Sequence, residues 1–98
     1  MSSSNQFKDF ILEQLRNLPS VSYRKMMGEY LLYFDGVLFG GIYDDRLLIK
    51  KTISNKRYDL PEETPYENAK SMYLVDNLDD ADYLSELIIT TLEDLKAV

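Results

Sequence analysis

Residues 24–50 read RKMMGEYLLYFDGVLFGGIYDDRLLIK, and two turn signals, Asp35-Gly36 and Asp44-Asp45, cut the stretch into three apolar runs. Short apolar runs joined by two-residue turns pair as neighbouring antiparallel strands. Working outward, strands are expected over 21–26, 29–34, 37–43 and 46–51, with another at 72–75, MYLV. If both turns are tight, Phe34 faces Val37, Leu32 faces Phe39, and Gly41 lies between Tyr30 and Leu48. Side chains alternate across a strand, so this register puts Leu31, Tyr33, Leu38, Gly40, Ile42, Leu47 and Ile49 on one sheet face. That face is expected beneath helices. The other collects Tyr30, Leu32, Phe34, Val37, Phe39, Tyr43 and Leu48, joined by Arg46 and Lys50. A two-layer domain ordinarily turns polar residues outward there. An apolar second face is therefore expected to be buried by the 52–78 segment or by a second copy of the chain.

The helices come from the two ends. Phe7, Phe10, Ile11, Leu15 and Leu18 recur at helical spacing, Ser3 with Gln6 can form a capping box, and Pro19 closes the run, so a helix is expected over 4–17. A second starts at Asp79, with Asp80 and Asp82 in its first turn and Leu84, Leu87, Ile88, Leu92 and Leu95 as its stripe. Residues 52–70, TISNKRYDLPEETPYENAK, hold two of the three prolines and no clear period. They read as loop, with one short helical turn near 67–70. The expected fold is α+β, an antiparallel hairpin meander packed with N-terminal and C-terminal helices in two layers, forming a single domain over 1–98.

Composition narrows function mainly by exclusion. The 98 residues include no Cys and no His, which rules out thiol nucleophiles, imidazole acid–base pairs and the usual zinc sites. No cofactor or metal site is expected. No basic segment followed by an apolar run opens the chain and no stretch approaches a membrane span, so a cytoplasmic location without membrane contact is expected. Net charge is −6, unevenly placed: nine Lys/Arg meet six Asp/Glu up to Arg57, and two meet eleven beyond it. The acidic C-terminal third is expected to lie beside Lys50, Lys51, Lys56 and Arg57.

Several groups invite a chemical reading. Asp76-Asn77-Leu78-Asp79-Asp80-Ala81-Asp82 superficially resembles a calcium loop, but Ala81 stands where the sharp turn needs Gly and Leu87 where a bidentate Glu belongs, so helix capping is the expected role. Gly28, Gly36, Gly40 and Gly41 follow no phosphate-cradle spacing and read as turn, bulge and twist positions. Asp44-Asp45 and Glu62-Glu63 are adjacent pairs and do not converge for acid–base work. No catalytic residue is expected. Tyr and Phe beside Arg46 and Lys50 could stack bases, yet the acidic chain opposes phosphate, so the isolated chain is not expected to bind nucleic acid.

Arg24-Lys25-Met26-Met27-Gly28, Tyr33 with Asp35-Gly36, then Phe39, Ile42, Asp44-Asp45-Arg46-Leu47, Lys50 and the later Met72–Val75 run together resemble the N-terminal domain of the TfoX/Sxy family. That family comprises bacterial regulators associated with competence for DNA uptake. The resemblance implies a small α+β domain, which is expected to stand alone here, without the separate helical C-terminal domain of the longer regulators. The expected function is a non-enzymatic regulatory module working through protein–protein contacts, with a protein partner or a homodimer. A nucleic-acid-associated regulator using the aromatic and basic sheet face is the alternative, and a small enzyme a distant third. Arg24, Tyr30, Phe34, Phe39, Tyr43, Arg46 and Lys50 are the candidate interaction residues, although Arg24 could instead be held by Asp35 or Glu29.

Overall fold

A computed structural model describes residues 3–96. Its elements run α1 (Asn5–Gln14), β1 (Val21–Met26), β2 (Glu29–Phe34), β3 (Val37–Tyr43), β4 (Arg46–Ile49), a 3₁₀ turn (Ser54–Tyr58), β5 (Glu62–Glu63), β6 (Met72–Val75) and α2 (Ala81–Leu95). The six strands form one antiparallel sheet in the order β1-β2-β3-β4-β6-β5. This is the α+β architecture expected, with both helices on one side of the sheet.

Three two-residue turns build the meander. Met27 and Gly28, Asp35 and Gly36, and Asp44 and Asp45 all have positive φ, the conformation of type I′ turns that suits the twist of paired strands. Asp tolerates that region; Met27 does so with its side chain 96% exposed.

The register departs from a plain hairpin at one place. Phe34 pairs with Val37 and Tyr33 with Leu38, but Leu32 then pairs with Gly40 rather than Phe39, so Phe39 is the extra residue of a β-bulge. One extra residue reverses the alternation beyond it. The face assignment made from alternation is thereby corrected. Tyr30, Leu32 and Phe34 share their side of the sheet with Phe39, Ile42, Leu47 and Ile49, and this side lies under the helices. Leu31, Tyr33, Leu38, Tyr43 and Leu48 share the other. Gly40 makes the crossover possible, because a Cβ there would overlap the Leu48 carbonyl and come within 3.0 Å of Ile49 Cα.

Ile11 of α1 and Leu15 at its C-cap meet Leu84, Leu87, Ile88 and Leu92 of α2 over Tyr30, Leu32, Phe39, Ile42, Leu47, Ile49 and Val75 in a single buried cluster. Leu48 is equally inaccessible but belongs to the far side. Helix starts differ slightly from expectation. Ser4, not Ser3, caps α1 by accepting the Phe7 amide, while the Ser3 hydroxyl donates to Glu29 Oε1 at 2.6 Å and accepts the Asp45 amide. Ser3 thus ties the chain start to two strand ends. The α1 helix stops at Gln14, a turn before the position expected from Pro19. In α2 the cap is Asp80, accepting from the Tyr83 amide at 3.0 Å, which is the capping role assigned to that acidic run.

The segment after β4 contains a 3₁₀ turn at Ser54–Tyr58, not a helical turn near 67–70. Buried Asn55 explains it. Its amide nitrogen donates to Lys50 O and Thr91 Oγ1 while its oxygen accepts the Thr52 amide, and no buried side-chain polar atom among the described residues lacks a partner. Asp94 of α2 closes the junction by accepting from the Ser54 amide and hydroxyl.

Candidate functional site

The bulge divides the seven candidate interaction residues. Tyr30 and Phe39 are core, and Phe34 is partly buried beside it with Lys96 Nζ 4.6 Å above its ring. Tyr30 also donates its hydroxyl to Asn5 Oδ1 at 2.7 Å. None of the three offers a surface. Arg24, Tyr43, Arg46 and Lys50 remain, all on the side of the sheet away from the helices.

Arg46 is committed internally. Its guanidinium donates to Tyr43 O, to Glu63 Oε1 at 3.0 Å and to Thr64 O, fastening β5 and the following loop across the outer face. Lys51 repeats the device one strand end away, with Nζ 2.7 Å from both Glu62 Oε1 and Ser71 Oγ. The lysine and serine together hold the Glu62 carboxyl below its ordinary range. Of the acidic third, therefore, the two acids of β5 meet Arg46 and Lys51. The acids of 76–82 form no ion pair with the basic run among the described residues; Asp80 caps α2 and Asp82 accepts from Asn17. The acidic C-terminal third thus meets the basic run Lys50, Lys51, Lys56 and Arg57 through Glu62 and Lys51, not through an ion pair of residues 76–82.

Fastened in this way, the 64–71 loop lies along the outer face without covering all of it. Tyr66 approaches Tyr43, ring centroids 6.4 Å apart, and Pro65 and Ala69 complete one wall of an open groove of about 790 Å³. Leu38 and Met72 contribute its apolar lining and Lys50 and Lys70 its charge. Neither lysine has a carboxylate partner among the described residues. Burial, then Tyr66, Glu29 and Tyr33, push the Tyr43 phenol above its ordinary value, so it stays neutral and available as a donor.

Arg24 lies on the outer side of β1 opposite Leu31 and forms no ion pair among the described residues. Neither carboxylate named for it holds it: Asp35 forms no ion pair among the described residues, and Glu29 accepts from the Asp44 amide at 3.0 Å as well as from Ser3. Of the candidates named from the sequence, Tyr43 and Lys50 line this groove; Tyr66 and Lys70 also line it and were not named, because their segment lacks periodicity. The aromatic of Pro65-Tyr66 in an otherwise polar loop was the one signal that could have placed them.

Chemically, the groove offers cations, phenol rings and an apolar floor. Among the described residues no group of three or more carboxylates converges to hold a metal ion, and no helix is long and apolar enough to cross a membrane.

Comparison with known proteins agrees with this architecture. An uncharacterized 12.7 kDa protein in the trpE 5′ region of Spirochaeta aurantia is 29% identical over 100 residues, spanning 99% of this chain and 87% of that protein. No solved structure matches the chain significantly. Neither the relative's description nor the matching family's names an enzyme. The family described as TfoX N-terminal domain matches residues 13–94, from within α1 through most of α2, and the chain belongs to that family.

Proposed function

We propose that this TfoX N-terminal domain is a non-enzymatic, cytoplasmic regulatory module that receives a partner protein on the outer face of its sheet. The observation that carries the reading is the groove between Tyr43 and Tyr66, where Lys50 and Lys70 have no carboxylate partner among the described residues, on a chain of net charge −6. Cations left beside an apolar floor favour a segment bringing both a carboxylate and an apolar or aromatic side chain. Overall acidity disfavours a polyphosphate partner, because few phosphates can be neutralised locally while the rest of the surface repels them.

Affinity capture from extracts of the source organism, with the wild-type chain and Lys50→Glu/Lys70→Glu in parallel, tests the proposal. A protein retained by the first and released by the second, at unchanged thermal stability, is the expected result. Two outcomes would overturn it. One is tight DNA binding at physiological ionic strength that the same double substitution abolishes; the other is turnover in a broad hydrolase and transferase screen that Tyr43→Phe removes.

A further inference from the structure

The two edges of the sheet are finished differently. At one, β5 is two residues long and both its glutamates are engaged by Lys51 and Arg46. At the other, β1 is six residues long, only Val21 is even half-buried, and Tyr23 and Met26 are 46% and 49% exposed. Long open edges are ready templates for another strand.

Register shows which backbone groups are free. The Asp35 amide donates to Ser20 O, so the even-numbered residues of this segment aim their N–H and C=O at β2. Tyr23 and Lys25 aim theirs away from the sheet. The Val21 amide is taken by Leu18 O, which marks where the open stretch begins.

Beside that edge, on the helix side, a shallow groove of about 420 Å³ separates α1 from β1, lined by Leu12, Leu15, Leu18, Pro19 and Val21 with Arg16 at its margin. A strand laid along β1 would drop every second side chain into it. The alternate side chains would emerge on the outer face next to Arg24.

We propose that β1 accepts an extended, acidic peptide segment as a seventh strand, its apolar residues entering the α1–β1 groove and its carboxylates meeting Arg24 on the outer face. A second copy of the chain is a poorer occupant. Pairing β1 with itself puts two arginines and two lysines along one seam with no acid in either strand, and like charges on neighbouring ladder positions destabilise. The same cations that keep copies apart select an acidic strand. This surface is separate from the Tyr43–Tyr66 groove, so either can fail without the other.

Peptides of about nine residues, long enough to span a six-residue edge, test it. One alternates Val with Asp or Glu, one has the same composition with its valines in a block, and one alternates Val with Lys. Binding is followed by amide hydrogen exchange and chemical-shift mapping on the full chain. The alternating acidic peptide is expected to bind and to slow exchange at the Tyr23 and Lys25 amides; the other two are expected to bind at least tenfold more weakly. Lys25→Pro removes an outward N–H without breaking a sheet hydrogen bond, so it should fold normally and abolish binding, whereas Lys25→Gln should weaken binding only a few-fold. Equal binding of the blocked or the basic peptide, no protection at those two amides, or undiminished binding by Lys25→Pro would each overturn the proposal. So would protection of the same amides by self-association, or by an oligonucleotide in preference to the peptide.

Discussion

Both faces of this sheet carry apolar side chains but are closed by different means. On the helix side, α1, α2 and the 3₁₀ turn seal Phe39, Leu32 and Ile42 to zero exposure, and Asn55 and Asp94 satisfy the polar groups trapped at the seam. The outer side has only a loop for cover. Two part-exposed ion pairs hold it, and Leu31, Tyr33, Leu38 and Tyr43 stay half-accessible. The difference separates stability from availability: burial by packed helices leaves no room for a ligand, while burial by a pinned loop does.

The largest expected effect breaks the helix side. Phe39→Ala should cost about 3–5 kcal/mol, because a fully buried aromatic leaves a cavity that helices anchored elsewhere cannot fill. A loss below about 1 kcal/mol in chemical denaturation would mean that Phe39 is not core. Gly40→Ala comes next, at about 1–3 kcal/mol, since its methyl group would be driven into the β4 backbone and something must shift. Unchanged stability there would remove the basis for the bulge and return Phe39 to a regular register.

A pH series sharpens the comparison at the α2 seam. The Ser54 amide, followed by the Thr52 and Ser54 hydroxyls, holds the Asp94 carboxyl below its ordinary value of 3.8. A depressed folded-state pKa contributes stability that is fully present above the unfolded value and lost as pH falls through the folded one. Melting temperatures of the wild type and Asp94→Asn should therefore differ at neutral pH and converge in acid. Parallel curves across the acid range would show that the charge is not what matters.

The smallest effect belongs to the outer side. Arg46→Met should cost less than about 1 kcal/mol, as expected for a pair this exposed, yet release the 64–71 loop. Faster proteolytic cleavage in that loop, at nearly unchanged melting temperature, is the expected signature.

Much of this fold was readable from residues alone. Asp35-Gly36 and Asp44-Asp45 carry their turn chemistry locally, and the stripes of α1 and α2 need only a period to be recognised. The bulge was different. Gly40-Gly41 inside a strand signalled irregularity, but which residue becomes the extra one is decided by Phe39 entering the core and by the β4 backbone closing on Gly40, both tertiary effects. That single residue exchanged the faces of half the sheet. It moved Tyr30, Phe34 and Phe39 out of the candidate surface while leaving Tyr43 and Lys50 in it. The partners of Arg46 and the position of Tyr66 depend on a loop without periodicity, in which the aromatic of Pro65-Tyr66 was the one local signal.

The succession of tight turns also affects how the chain folds during synthesis. Strands β1 to β4 are each joined by two residues and can zip together soon after residue 49 leaves the ribosome, hairpin closure taking about 1–10 μs. The cover for their helix side is completed by α2, which begins only at Ala81. At translation rates of about 5–20 residues per second, the four-stranded meander has only α1 over its most apolar side for a time on the order of seconds. That interval is far longer than the hairpins need to form, and it makes the nascent meander a natural client for chaperones until α2 arrives.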